Sequence, residues 1–354
     1  MTTMNTGPTP SPALLPLRER IAAPAAPVPA HPDVAVWRAA RLEDAAAVTA
    51  AIKAMDAVDH PDWSTPQEDV VDELTSARLD LATDSLVAVD AQGAVLAVGL
   101  VPLHPGTDRV QVRLSGGVIP AARRRGIGTA LGRWQVARAL ERLAQREEAV
   151  PAWIRLTTEE RTPGWRALPT TLGFQIARWF TSMDRDLADP PPPARVPEGV
   201  RLVPLTPQND AATMAAVVAA FQDHWGSAPI DAAEWHQTVR GEFFRDDLTF
   251  VAVPADAGPA GPVLGAAITI VTPEDFPLQG YTSSYLATLG VTRQARGKGV
   301  ASALLAAVLG ATAEAGLERV VLDVDTDSPT GALGLYERAG FVASSRSATW
   351  VLEV

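Results

Sequence analysis

The sequence predicts a mixed α/β protein in which one order of strands and helices occurs twice in tandem. Three observations carry this. A turn rich in Arg and Gly, set between a strand and an apolar-striped helix, occurs at Arg123-Arg124-Arg125-Gly126-Ile127-Gly128 and again at Arg296-Gly297-Lys298-Gly299-Val300-Ala301. Each turn is followed by a Gly-Phe pair, Gly173-Phe174 and Gly340-Phe341. Gly126 and Gly299 lie 173 positions apart, and Phe174 and Phe341 lie 167 apart. Near-constant offsets across several landmarks mark an internal duplication.

The bulk properties bound the class. A chain of 354 residues is long for one core, so two domains are the default. Hydrophobic content is 47% and charged content 20%, within the globular range. No apolar run reaches the roughly 18 to 20 residues that span a bilayer, which argues against a membrane partner. The first residues lack a basic stretch followed by an apolar core, so no secretory signal is expected. Without cysteine the chain has no disulfide, thiolate nucleophile or Cys-ligated metal, and a cytoplasmic location fits. The net charge of -11 opposes general nucleic-acid binding. Lys53 and Lys298 are the only lysines, so arginine supplies nearly all the positive charge.

Residues 1–33, rich in Pro and Ala without periodicity, are expected to be a disordered tail. Residues 34–38 read as a strand, and an Ala-rich helix follows. Residues 85–89 and 94–100 flank Asp90-Ala91-Gln92-Gly93, a hairpin signal. Residues 109–119 continue as a strand, roughly 126–147 as a helix and 153–156 as a strand. Residues 188–199, with four consecutive prolines from Pro190, form a stiff linker of polyproline type. The same order then restarts: strand 200–202, helix 211–221, hairpin strands 248–253 and 263–270, long strand 285–291, helix 299–315, strand 320–324 and a short helix over 332–338. The chain therefore divides into a first domain over 34–187 and a second over 200–354.

Arg123-x-x-Gly126-x-Gly128 and Arg296-x-x-Gly299-x-Ala301 fit the pattern R/Q-x-x-G-x-G/A. Backbone amides at a helix start attract phosphate, and glycine lets the anion approach. A nucleotide P-loop is excluded because Gly299, rather than Ser or Thr, follows Lys298. A second block, Leu322-Asp323-Val324-Asp325-Thr326-Asp327-Ser328-Pro329-Thr330-Gly331-Ala332-Leu333-Gly334-Leu335-Tyr336-Glu337-Arg338-Ala339-Gly340-Phe341, follows the second helix. Together these resemble the two signatures of the GNAT superfamily of N-acetyltransferases, strongly in the second half and moderately in the first. Ala332, Leu335, Tyr336, Gly340 and Phe341 match the second signature, while Ser328-Pro329 stands where the family often has Asn. The tandem arrangement resembles the mycothiol synthase family, which acetylates a cysteinyl amine on an aminosugar conjugate.

The resemblance implies two GNAT domains, each a mixed, mostly antiparallel sheet flanked by helices and related by a pseudo-twofold, as a monomer or a homodimer. It implies acetyl-coenzyme A as co-substrate. Leu289, Val291, Arg296, Gly297, Lys298, Gly299, Val300, Ala301, Ser302 and Ser328 would contact it, and Val118, Arg123, Arg124, Arg125, Gly126, Ile127, Gly128 and Thr129 would do so upstream. Arg293 adds further charge beside the second turn. Tyr336 stands where the family has its general acid, a phenol able to protonate the departing thiolate. Five positions before Phe174 the first half has Pro169 instead, so it keeps the cradle and loses the donor. Asp323, Asp325 and Glu242 are candidates for the base that takes a proton from the amine. The acceptor pocket would be walled by Phe221-Gln222-Asp223-His224-Trp225-Gly226-Ser227-Ala228-Pro229, Glu234-Trp235-His236 and Phe243-Phe244, aromatic side chains that can hold a cation or simply form core. Asp59, His60 and Asp62 imitate a metal set on a short loop and read as solvated acids; no metal is expected. The function expected is transfer of an acetyl group to a primary amine of a small molecule. A non-catalytic acetyl-coenzyme A sensor and a longer-chain acyltransferase are the rivals.

Overall fold

A computed structural model describes residues 14–106, 108–191, 193–222, 224–226, 230, 232–328 and 331–354. Its elements run α1 (Leu17–Arg20), β1 (Val36–Arg38), α2 (Ala45–Asp59), α3 (Gln67–Thr75), α4 (Leu81–Asp84), β2 (Ser85–Val89), β3 (Val95–Leu100), β4 (Leu103–His104), β5 (Val110–Arg113), β6 (Ser115–Val118), α5 (Ile127–Leu143), β7 (Ala152–Glu159), α6 (Ala167–Thr171) and β8 (Gln175–Asp186). The second half adds β9 (Val200–Pro204), α7 (Asp210–Phe221), α8 (Ala232–Arg240), β10 (Phe250–Pro254), β11 (Gly265–Ile270), α9 (Phe276–Gln279), β12 (Ser283–Val291), α10 (Val300–Glu314), β13 (Arg319–Asp325), α11 (Ala332–Arg338) and β14 (Val342–Glu353).

A ten-stranded sheet in the order β4-β5-β7-β14-β8-β13-β12-β11-β10-β9 crosses both halves, and β1-β2-β3-β6 form a separate sheet. The centre is an exchange. The last strand of the second half, β14, lies between β7 and β8 of the first, and β8 lies between β14 and β13. The ladder bonds of the middle of the sheet therefore tie one half to the other.

Period-two alternation decides which side chains face which layer. On β13, Val320, Leu322 and Val324 join the core under α10, whereas Asp323 and Asp325 point away from it. On β7, Ala152, Ile154 and Leu156 pack under α5, leaving Trp153, Arg155 and Glu159 on the other side. Trp179 packs with the α5 cluster and Met183 with the α10 cluster. They are four residues apart on β8, so α5 and α10 cover the same face of the sheet. On the opposite face the α2–α3 and α7–α8 connections each reach across to the other half. The Ser64 amide donates to Asp275 at 2.9 Å, Arg78 pairs with Glu234 at 2.6 Å, and Trp225 packs against Trp153.

The structure differs from expectation near the N-terminus. Residues 14–33 lie against the first half; residues 1–13 are outside the described residues. Leu17 is fully buried in the α5 cluster, and Arg20 donates to the carbonyls of Val150 and Val354. Burying one leucine contributes about 2 kcal/mol, which offsets part of the cost of ordering the segment. Composition hides this because a few side chains, Leu17, Arg20 and Ile21, carry the docking. The strand expected over 109–119 also divides: β5 stays in the large sheet and β6 joins the small one.

Candidate active site

The two cradles share one backbone path. A single turn precedes each, and two left-handed residues follow: Gly297 (φ 73°) and Gly299 (φ 83°) in the second half, Arg124 (φ 60°) and Gly126 (φ 99°) in the first. Glycine takes this conformation without a Cβ penalty, whereas Arg124 carries one. The first helical bonds run from Ala303 N–H to the Gly299 carbonyl and from Ala130 N–H to the Gly126 carbonyl, each 3.0 Å. The amides of Val300, Ala301 and Ser302, and of Ile127, Gly128 and Thr129, therefore have no acceptor within their helices and sit at the positive dipole ends.

The leading arginines do not extend into these cradles. Arg296 turns back, its Nε donating to the Val291 carbonyl at 3.3 Å and its Nη2 to the Ala220 carbonyl at 2.9 Å. Arg123 does the same at the Val118 carbonyl (2.9 Å) and grips both oxygens of Asp59 at 2.7 and 2.6 Å. Both fasten the turn to the strand end. Lys298, Arg124 and Arg125 are the exposed cations of the cradles themselves, and Arg293 lies exposed on the turn before Gly297.

Below the second cradle the sheet opens. β12 and β13 pair in parallel only over Ser283–Tyr285 and Arg319–Val321. β12 continues along β11 to Val291, while β13 continues along β8 to Asp325. A bulge in the β11–β12 ladder at Ala287 marks the parting. Thr292 N–H donates to the carbonyl of Leu264, the residue before β11. By alternation, the backbone groups of Leu289 and Val291 point the other way, into the opening.

Tyr336 stands on α11 in the α10 core, its ring edge-on to Phe341 with centroids 5.6 Å apart. Burial pushes its hydroxyl up to about 12. That hydroxyl makes no hydrogen bond among the described residues. Tyr285, on β12, donates to Asp323 Oδ2 at 3.0 Å, and Ser182 of β8 donates to Asp323 Oδ1 at 2.5 Å. Burial first, then the Asp323 carboxylate and more weakly Tyr336, hold the Tyr285 hydroxyl well above its usual range. Neither Tyr285 nor Ser182 is marked by a sequence motif. Tyr285 could be found from alternation along the long strand, but Ser182 arrives through the strand exchange, which leaves no local signal.

The other candidate bases are placed differently. Asp325 is buried, accepts from the Asp327 amide at 3.0 Å and approaches Arg178 at 3.9 Å, so it closes the turn after β13. Glu242 is exposed on a turn. Ser328 follows Asp325, its amide donating to the Asp325 carbonyl. In the acceptor wall, Trp235 is buried with its indole N–H on Asp210, and His224 packs on Phe221. Phe244 packs beside the α7–α8 core, and His236 is exposed. Asp223, Ser227, Ala228, Pro229, Pro329 and Thr330 lie outside the described residues.

In the loop read as solvated acids, Asp62 is exposed beside Arg161, whereas His60 is packed. His60 stacks on Trp63 with centroids 3.5 Å apart and meets Asp56 at 3.2 Å. Burial works to lower the His60 imidazole, but the Asp56 hydrogen bond and charge outweigh it and the net shift is upward. Glu159, at the end of β7, is raised by burial and by the charges of Asp323 and Asp59, against His60 and Arg161.

The first half carries different chemistry at the matching points. Tyr285 pairs with Val321, and Asp323 lies two residues further along β13. Gln111 pairs with Trp153, and Arg155 lies two residues further along β7. Gln111 and Arg155 thus stand where the second half has Tyr285 and Asp323. Both donate to the Gly226 carbonyl at 3.3 Å. Pro169, buried on α6, occupies the counterpart of Tyr336. The first cradle is also occupied from within: His31 hydrogen-bonds the Arg125 carbonyl at 2.8 Å, and the Asp33 carboxylate lies 3.9 Å from Arg125. At the second cradle the corresponding strap presents neutral Pro197, 3.6 Å from where a Gly299 Cβ would sit.

The profile of the acetyltransferase (GNAT) family matches residues 213–341. A mycothiol acetyltransferase of Salinispora tropica is 33% identical over 289 residues, covering 80% of this chain and 87% of that protein. Another, from Saccharomonospora viridis, is 31% identical over 63% of this chain and 69% of its own. Among solved structures, a GCN5-related N-acetyltransferase from Sphaerobacter thermophilus superposes with a TM-score of 0.68 at 26% identity, covering 92% of this chain and 97% of that one. A tandem GNAT protein from the clavulanic acid biosynthesis pathway shares the fold, with a TM-score of 0.63 at 19% identity over 90% and 98% of the two chains.

Proposed function

Since the chain belongs to the GNAT family of acetyltransferases, we propose that its second half, residues 200–354, binds acetyl-coenzyme A and passes the acetyl group to a primary amine of a small molecule. The first half, residues 34–187, and the linker over 188–199 serve as the scaffold of that single site, in the cytoplasm. The observation that carries this reading is the Tyr336 hydroxyl, without a hydrogen bond among the described residues, in the core beneath α10, whose amide cradle heads the strand opening.

The fit to acetyl-coenzyme A rests on this chain's own groups. Three first-turn amides and the α10 dipole suit a pyrophosphate, and Gly297 and Gly299 on either side of Lys298 have no side chain to crowd it. The extended backbone of Leu289 and Val291 can pair with the amides of a pantetheine arm. An amide facing the opening is placed to polarise the thioester carbonyl. When bound, the thioester supplies the activated acetyl group. Attack by the neutral amine forms the C–N bond as the C–S bond breaks. At about 12 the Tyr336 phenol stays protonated at neutral pH, so it meets the growing thiolate as a hydrogen-bond donor and can complete the transfer as the sulfur leaves. The relatives' name makes the amine of a mycothiol-type conjugate the first acceptor to test.

The test is thiol release from acetyl-coenzyme A with a panel of primary amines: glucosamine, spermidine, tyramine, S-methylcysteamine and a cysteinyl-aminosugar. Amine-dependent release with a matching N-acetylated product supports the reading. Tight acetyl-coenzyme A binding with no stimulation by any amine would point to a sensor instead.

A further inference from the structure

We infer that Asp323, bridged by Tyr285 and fixed by Ser182 from the other half, is the proton acceptor for the attacking amine. The inference deepens the proposed function and rests on it. Three placements carry it. Asp323 lies two residues past the last β12–β13 pair, on the flank of the opening and on the face turned away from α10. Tyr336 belongs to the core on the α10 side. Donor and acceptor of protons are thus on opposite sides of the strand pair, as two groups acting on a leaving sulfur and an incoming nitrogen must be.

The hydrogen bonds give the chain a direction. Tyr285 has one hydroxyl proton and commits it to Asp323 Oδ2. Its lone pairs are left to receive an N–H from an ammonium. Ser182 commits its proton to Asp323 Oδ1, so both carboxylate oxygens accept and neither donates. In the step proposed, an N–H bond of the ammonium breaks and an O–H bond forms at Tyr285. The former Tyr285 proton moves to Asp323 Oδ2, and the nitrogen keeps its lone pair for attack on the thioester. The groups facing this carboxylate are Tyr285 from β12, Ser182 from β8 and, through its charge, Glu159 from β7.

The first half supplies an internal contrast. Gln111 and Arg155 occupy the Tyr285 and Asp323 points. Arginine cannot accept a proton. The half without the Tyr336 counterpart has also lost the acceptor.

The experiment measures kcat/KM for the best amine of the panel above, with acetyl-coenzyme A, from pH 5 to 10. For Asp323→Asn the expected result is a loss of about a hundredfold or more in kcat/KM for the amine. KM for acetyl-coenzyme A should change less than twofold, and the acidic limb of the pH profile should flatten; Asp323→Glu should restore part of the rate. Tyr285→Phe keeps the carboxylate and removes the bridge, so it tests the relay even if Asp323→Asn misfolds, with about a tenfold loss expected. Wild-type-like rates and pH profiles in both variants, alongside an inactive Tyr336→Phe, would overturn the relay and leave the acetyltransferase reading standing. A wild-type protein that acetylates no amine overturns both.

Discussion

Arg124 and Gly126 in the first half hold the same left-handed path as Gly297 and Gly299 in the second, yet the two cradles are surrounded by opposite chemistry. The first has Asp33 beside Arg125, proline in place of the phenol and arginine in place of the carboxylate. The second has an exposed Lys298 without an ion pair among the described residues, and it keeps Tyr336 and Asp323. The two loops share a backbone path, while the side chains around them differ. The comparison teaches that a cradle's shape reports architecture, and the groups around it report chemistry.

The comparison can be broken most severely at Tyr336. Tyr336→Phe should lower kcat about a hundredfold while leaving acetyl-coenzyme A binding intact, read from steady-state thiol release. Next come the paired glycines. Gly299→Val places a β-branched residue at φ 83° and should weaken acetyl-coenzyme A binding about tenfold or more, whereas Gly126→Val should cost stability and leave affinity unchanged. Titration of both variants checks this.

A smaller effect follows from Glu159. Its folded pKa is raised chiefly by burial. Below the unfolded pKa both states are protonated and nothing is lost. Above the folded pKa the native state must hold a half-buried charge, so stability falls as pH rises through that window. Glu159→Gln should therefore raise Tm by a few degrees at pH 8 and by nothing at pH 3.5, measured by calorimetry. The smallest effect sits at Arg124. Arg124→Gly relieves a left-handed non-glycine residue and should stabilise the protein by about 1 kcal/mol or less, seen as a shift in urea midpoint at constant slope.

Much of this was legible in the sequence where the signal is local. The duplication, both turns, the helices behind them and Tyr336 depend on short motifs with fixed spacing. The strand exchange was not, because nothing near β14 indicates that Trp350 will pair with Leu156 and Ile176 of the first half. The same gap hid Ser182, whose partner Asp323 is 141 positions away. The resemblance counts Arg123 and Arg296 among the coenzyme A contacts, and in the fold their guanidinium groups hydrogen-bond strand-end carbonyls. The stacking of His60 on Trp63 depends on a two-residue turn that composition does not reveal.

The central claim is that only one of the two cradles works. Isothermal titration of the intact chain with acetyl-coenzyme A tests it most directly. The account predicts one equivalent bound per chain, weakened by Gly299→Val and unaffected by Gly126→Val. Two equivalents per chain, or a single one lost on changing Gly126, would contradict it.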